Sequence, residues 1–154
     1  MTVRCKSFQE LSTSELFELL HLRSEVFVVE QQCVYQDPDE WDLGAMHLCY
    51  YDEVGLAAYA RLLPPDTRFP EPSIGRVLTA GRVRKQGFGK MLMQTAIEQC
   101  CSEYRPQNIR ISAQCYLQRF YTELGFHVCS EAYDEDGIPH VEMIWNADLT
   151  KAHE

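Results

Sequence analysis

The chain has 154 residues, of which 45% are hydrophobic and 24% are charged, and its formal net charge is −9. This length fits one domain over residues 1–154, and no apolar run approaches the roughly 20 residues that a membrane span needs. The acidic balance argues against broad binding to nucleic acid or to an anionic membrane surface.

The N-terminal stretch MTVRCKSFQELSTSEL lacks the apolar centre and cleavage site of a secretory signal, so we expect a cytoplasmic protein. Seven cysteines with scattered spacing favour reduced thiols over a disulfide framework. No two of them have the C-x-x-C spacing of a zinc ribbon, so we expect no metal site.

The first half of the chain predicts strands interrupted by one helix. VRCKSF alternates like a strand, and residues 12–31 predict a first helix, with Ser12 and Glu15 at capping-box spacing. Two apolar segments separated by residues 53–55 predict a hairpin, and SIGRVLTA predicts a fourth strand.

The second half predicts two further helices and a closing hairpin. A long helix after residue 87 places Leu92, Ala96 and Cys100 on one row, with polar residues opposite. NIRISAQ predicts a fifth strand, and YLQRFYTELGF predicts a short helix that ends at Gly125. FHVCSEAY and HVEMIW predict a final hairpin, with DEDG as its turn. The order β-α-β-β-β-α-β-α-β-β predicts an α+β layered fold.

The segment RVRKQGFGK sets two glycines and a cluster of cations between the fourth strand and the long helix. The first N–H groups of a helix lack internal acceptors, so this turn predicts a site for phosphate or pyrophosphate. A P-loop would need glycine in place of Arg84 and Ser or Thr in place of Met91, and a dinucleotide fingerprint would need glycine in place of Leu92. What remains is the pattern R-x-x-G-x-G.

R-x-x-G-x-G in this context resembles the acyl-CoA motif of the GNAT superfamily of N-acyltransferases. Four further blocks, LRSEVFVVEQQCVYQDPDEWD, AYARLLP, IGRVL and YDEDGIPHVEM, are similar to its ElaA-like branch. The resemblance implies a mixed, mostly antiparallel central sheet of about seven strands flanked by helices, with strands four and five splayed around the cofactor.

The resemblance also implies where acetyl-CoA would bind. Main-chain groups of Val77, Leu78 and Thr79 would pair with the pantetheine arm, and Gln114 at the end of strand five would join them. The amides that would hold the coenzyme A pyrophosphate belong to Arg84, Lys85, Gln86, Gly87, Phe88, Gly89 and Lys90.

For the chemistry, the resemblance implies that Tyr121 protonates the departing sulfur and that the Leu78 N–H stabilises the oxyanion. Tyr121 also shares a helical stripe with Leu117 and Leu124, so a role in packing alone stays open. Direct transfer would need no covalent enzyme intermediate.

The acceptor, a small amine or an exposed amino group, would bind near the loop after the first helix. Glu30 would be the base, and Glu30, Tyr35, Asp37 and Asp39 would line this site, unless DPDE is only an acidic surface turn. His140 and Glu142 share one face of the last strand and would join the site.

Three other residues receive structural roles. We expect His47 to be structural, and Arg61 and Arg76 to be paired charges that fix loops. Two alternatives to an acetyltransferase stay open, namely a catalytically silent acyl-CoA sensor and a protein-interaction domain. Homodimer formation is compatible with each of them.

Overall fold

The computed structural model describes residues 1–147, which contain three α-helices and eight strands. The helices are α1 (Thr13–Arg23), α2 (Phe88–Tyr104) and α3 (Gln118–Glu123). The strands are β1 (Thr2–Ser7), β2 (Met46–Tyr51), β3 (Leu56–Leu63), β4 (Ser73–Thr79), β5 (Asn108–Gln114), β6 (Phe126–Val128), β7 (Tyr133–Glu135) and β8 (Ile138–Asn146). In this range no helix combines the length and the hydropathy that crossing a membrane requires.

The strands form two antiparallel sheets that meet at β4 and β5. One sheet has the order β1-β2-β3-β4, and the other has the order β5-β8-β6, with β7 also paired to β8. The Arg110 N–H donates to the Pro72 carbonyl at 3.1 Å, close to the beginning of both edge strands. Beyond this point β4 and β5 diverge, which opens a cleft between the two sheets.

The predicted α+β layering with mostly antiparallel strands is confirmed. The last hairpin differs in detail, because residues 126–133 do not form one strand. β6 and β7 are separate and pair with opposite halves of β8, which at nine residues is long enough to hold both.

Both faces of the first sheet are covered, which explains the continuous apolar run of β3. Ala58, Ala60 and Leu62 face the core beneath α2, whereas Ala57 and Tyr59 face α1. Every residue of β3 is buried as a result. A strand with both faces buried reads as an unbroken hydrophobic segment instead of an alternating one.

The two long helices follow their predicted patterns. Ser12 caps α1 and forms the reciprocal capping box with Glu15. In α2 the predicted row of Leu92, Ala96 and Cys100 is fully buried. The helical path of α1 continues in π geometry over Ser24–Glu30, which the sequence pattern did not predict. Such π segments often occur at functional sites.

Candidate active site

A cleft of about 510 Å³ lies between the diverging ends of β4 and β5. The π-helical segment and the loop after it form one wall, and the β7–β8 turn forms another. Of the residues predicted for the site, the cleft is lined by Glu30, Tyr35, Val77, Thr79, Arg84, Gln114, Tyr121 and His140.

The glycine turn lies next to this cleft, between β4 and α2. Lys85 and Gly87 both adopt left-handed backbone conformations, with φ of 65° and 81°, and α2 begins directly after Gly87. The chain therefore bends sharply before the helix and presents the first-turn amides of α2 outward. Residues 84–87 are exposed, and so is Lys90.

The two glycines of the turn play different steric roles. A Cβ built on Gly87 meets no atom of the described residues within 4 Å, whereas a Cβ on Gly89 lies 3.6 Å from the Phe120 ring. Gly87 thus borders the open space in front of the amides, whereas a Cβ at Gly89 would make an ordinary van der Waals contact with α3. Lys85 and Lys90 add positive charge beside these N–H groups, so the turn fits a diphosphate.

Strand β4 contains a bulge that interrupts its pairing with β3. Arg76 and Val77 stand together opposite Ala60, because the register passes from Tyr59–Leu78 to Arg61–Gly75. Arg76 has a φ of 50°, a conformation that side chains with a Cβ rarely adopt. The bulge lies in the part of β4 that lines the cleft.

The pairing of β4 also indicates which amides face the cleft. The Ala80 N–H donates to the Ala57 carbonyl at 2.8 Å, so by the alternation of an antiparallel ladder the Leu78 N–H also points toward β3. The main-chain N–H and C=O of Thr79 then point away from β3, and this carbonyl accepts a bond from Arg84 Nη2 at 3.5 Å. Val77 belongs to the bulge, where the ladder is interrupted, and it lines the cleft. The amide predicted at Leu78 therefore points toward β3 and away from the cleft, and the neighbouring residue that lines the cleft is Val77.

Tyr121 lies in α3 at the floor of the cleft and is 7% exposed. Its ring packs edge-on against Phe120 and Phe126, with centroid distances of 5.1 and 5.9 Å. Burial, with a further contribution from Tyr116, raises the pKa of Tyr121 above its ordinary value. The hydroxyl therefore stays protonated near neutral pH, whether it donates a proton or only packs.

Glu30 ends the π-helical segment and forms an ion pair across the cleft. Its Oε2 lies 2.7 Å from Arg84 Nη2, and the side chains of Glu30 and Arg84 are 38% and 43% exposed. The predicted base and the first residue of the R-x-x-G-x-G pattern thus contact each other directly. Their charges compensate one another in this structure.

The loop after the π-helical segment is held by a buried network of ions. Asp37, at 2% exposure, accepts bonds from Arg23 Nε at 2.6 Å and from the Tyr35 hydroxyl at 2.9 Å. Asp42 accepts bonds from Arg23 at 2.7 Å and from Arg61 at 3.0 Å. Asp37 does not line the cleft, since its carboxylate is occupied by this network.

The remaining charges of the network follow the structural roles that the sequence predicted. Arg61 donates to Asp39 at 2.7 Å, and Arg76 Nε lies 2.9 Å from Asp37 Oδ1, although its N–H does not point at that oxygen. Asp39 is likewise outside the cleft lining. His47 is buried and bonds Tyr59 Oη at 2.6 Å, and burial lowers its pKa. The structural predictions for Arg61, Arg76 and His47 are confirmed.

On the last strand the two predicted residues separate. His140 lines the cleft, with Nδ1 2.7 Å from the Ile138 carbonyl and Nε2 3.3 Å from Glu135 Oε2. Glu142 lies outside the cleft lining and accepts a bond from Arg110 at 3.1 Å. The two side chains share a strand face but not a site.

Sequence reasoning missed two groups near the cleft. Glu135 lies in DEDG, which the sequence predicts as a turn, so the sequence pattern does not predict its pairing with His140. Arg23 falls on the apolar row of the first helix, between Leu19 and Val26, and is fully buried. A charged residue on an apolar helical row is a usable signal of a buried ion pair.

Comparisons with known proteins agree with this geometry. A profile of the acetyltransferase (GNAT) domain matches residues 13–147. The chain is 42% identical to protein ElaA of Escherichia coli strain K12 over 136 residues, covering 87% of this chain and 89% of that protein. It is 44% identical to a UPF0039 protein of Schizosaccharomyces pombe over 140 residues, covering 90% of this chain and 92% of that protein.

Solved structures give the same result. An acyl-CoA N-acyltransferase from Pseudomonas aeruginosa matches with a TM-score of 0.88 at 39% identity, covering 94% of this chain and 99% of that one. Escherichia coli ElaA matches with the same TM-score at 38% identity and the same coverage. The chain belongs to the GNAT acetyltransferase family, a class of acyl-CoA-dependent N-acyltransferases. Its relatives include ElaA and the UPF0039 proteins.

Proposed function

We propose that the protein transfers an acetyl group from acetyl-CoA to a primary amine by direct attack within a ternary complex. The observation that carries this proposal is the meeting of the β4–β5 cleft with an exposed glycine turn at the N-terminus of α2. Residues 1–154 would act as a single acetyltransferase domain.

The proposed coenzyme site follows the outward-facing main chain. The amides of residues 84–90 would hold the pyrophosphate, with Lys85 and Lys90 adding charge, and Val77 and Thr79 would pair with the pantetheine arm. Gln114 lines the opposite wall. Leu78 would contribute packing instead of an amide, because its N–H points toward β3.

Three groups of the chain would carry the chemistry. Acetyl-CoA supplies an acyl group activated as a thioester. The Tyr121 hydroxyl holds a proton at the floor of the cleft, where a departing sulfur would need one. The Val77 N–H would be the oxyanion donor, since Val77 lines the cleft. Glu30 would accept a proton from the amine, directly or through water, once Arg84 no longer pairs with it.

The proposed amine site lies between the π-helical segment and the β7–β8 turn. Glu30, Tyr35 and His140 line it, and Glu135 joins them through His140. Asp37, Asp39 and Glu142 would support the site from outside, since arginines already occupy their carboxylates. We place the protein in the cytoplasm, without nucleic-acid or membrane partners, and homodimer formation is compatible with the site.

A measurement of thiol release tests this proposal. Purified protein is incubated with acetyl-CoA and a panel of small primary amines and lysine-containing peptides, and free thiol is followed by absorbance. The expected result is release that requires an amine and saturates with it. Incubation without amine is the control for simple hydrolysis.

The same assay distinguishes the enzyme from a second candidate function, an acyl-CoA sensor. The Glu30–Arg84 ion pair favours a sensor, because a paired Glu30 is not free to act as a base. A sensor would bind acetyl-CoA and release no thiol with any amine. Binding without release across the panel would therefore replace the enzyme proposal by the sensor.

A further inference from the structure

Arg76 combines three features that the reaction outlined above does not use. It is a non-glycine residue with a left-handed φ of 50° inside a strand, it forms the bulge of β4, and it lines the cleft. A left-handed residue with a Cβ costs roughly 1–2 kcal/mol, and such strain persists only where the surroundings enforce it.

The surroundings of Arg76 enforce this conformation through its side chain. The guanidinium lies over the Phe27 ring at 5.7 Å and over the Tyr35 ring at 5.9 Å. Its Nε is 2.9 Å from Asp37, whose carboxylate is 1% exposed. Asp37 is itself fixed by Arg23, so the anchor of Arg76 is part of the core.

The bulge includes the main-chain N–H that the proposed reaction uses at Val77. This N–H belongs to the peptide bond that follows Arg76, so the backbone conformation of Arg76 sets the direction in which it points. Leu78, which lies beyond the bulge, stays paired to β3. The acceptor loop, through Tyr35 and Asp37, therefore contacts the residue that sets this arrangement.

We propose that Arg76 is a positioning residue, which holds the β4 bulge through Asp37, Phe27 and Tyr35 and so aims the Val77 N–H into the cleft. The proposal rests on the proposed acyl transfer. It also links the loop that borders the amine site to the strand that borders the thioester site.

Two substitutions of Arg76 separate the effect of its backbone conformation on kcat from the effect of its side chain. Both Arg76→Ala and Arg76→Gly remove the guanidinium, but glycine adopts the left-handed conformation without the cost that alanine bears. A penalty of about 1–2 kcal/mol corresponds to a factor of about 5–30. We expect kcat of Arg76→Gly to exceed kcat of Arg76→Ala by this factor, while both bind acetyl-CoA within about threefold of the unsubstituted protein.

The measurements are thiol-release kinetics, calorimetric titration with acetyl-CoA, and thermal unfolding to confirm that each variant is folded at the assay temperature. Equal losses of kcat in the two variants would overturn the proposal, and so would a loss of acetyl-CoA affinity that accounts for the loss of rate. An unsubstituted protein that releases no thiol would remove both this proposal and the proposed function.

Asp37→Asn keeps the test decisive if Arg76→Ala does not fold. Asparagine has the same size, and its one oxygen can still accept from Arg23 while its amide N–H donates to the Tyr35 hydroxyl, but it removes the charge that anchors Arg76. We expect a lower kcat at unchanged acetyl-CoA affinity. A kcat equal to that of the unsubstituted protein would contradict the positioning role.

Discussion

Tyr121 is the residue at which catalysis and packing can be told apart. Its hydroxyl is the only part that a proton transfer needs, while its ring fills the space between Phe120 and Phe126. Tyr121→Phe keeps the ring and removes the proton donor. We expect kcat to fall by about 10²-fold, the lower end of the usual range for a positioned acid.

The affinity for acetyl-CoA and the unfolding temperature should both stay close to those of the unsubstituted protein in this variant. Steady-state kinetics and thermal unfolding measure the three quantities. A phenylalanine variant with undiminished kcat would show that Tyr121 only packs. Leu117 also lines the cleft, and Leu117→Met is a matched control for a small packing change in the same region.

Single residues also show how far sequence reasoning reaches. The capping box at Ser12 and Glu15 was predictable because both partners lie within one helical turn. The sequence could not predict that Val77 lines the cleft while the Leu78 amide points toward β3, because this depends on how β4 pairs with β3 around the bulge. Local patterns predict local bonds, and pairing across strands requires the structure.

At the scale of elements, the segment from the π-helical turn to β2 is held by charge instead of apolar contact. Asp42 lies between Arg23 and Arg61, and all three side chains are nearly buried. Burial opposes the charge on Asp42, but hydrogen bonding and attraction from Arg23, with Arg61 adding to it, lower its pKa from 3.8 to about 2.

This shift predicts an acid-sensitive contribution to stability. The folded-state pKa is below the unfolded value, so the contribution is complete above pH 3.8 and is lost as the pH falls toward about 2. Its size is about 2 kcal/mol. Asp42→Asn should therefore lower the free energy of unfolding by at least this amount at neutral pH. The stability of this variant should also depend less on pH between about 2 and 3.8 than that of the unsubstituted protein.

Urea unfolding at a series of pH values measures both effects. Glu123→Gln is the control, because the Arg119–Glu123 pair is largely exposed and should contribute less than about 0.5 kcal/mol. Equal losses of stability in the two variants at neutral pH would contradict a stabilising role for the buried ion pairs of Asp42.

The elements themselves were predictable to different degrees. α2 was predictable because its buried row repeats over 17 residues. The division of residues 126–135 into β6 and β7 was not, because short strands at the edge of a sheet carry too few residues for a period to appear. The sequence of the acidic loop fits either a site or a turn, because its buried partner Arg23 lies in a different element.

At the scale of the whole molecule, two four-stranded sheets are joined at one end and open at the other. The cleft lies at the open end because β4 and β5 are both edge strands, and none of the strands within residues 1–147 pairs with their free edges there. The exposed glycine turn before α2 borders this opening and reaches it at Arg84. An elongated ligand with a diphosphate fits this combination of an unpaired strand edge and a helix terminus.

The direct test of this account is calorimetric titration of acetyl-CoA into the unsubstituted protein and into Gly87→Asp. A carboxylate at this position should preserve the helix N-terminus, and aspartate tolerates the left-handed conformation better than most residues. It would also place a negative charge where the diphosphate should bind. Gly89→Ala is the matched control, because its Cβ faces Phe120 and not the open space.

We expect the unsubstituted protein and Gly89→Ala to bind acetyl-CoA with a Kd below ~1 mM. Gly87→Asp should bind at least about tenfold more weakly, since like charges within a few ångströms near a protein surface repel by a few kcal/mol. An unsubstituted protein that gives no binding heat at millimolar acetyl-CoA, or a Gly87→Asp variant with full affinity, would contradict the account.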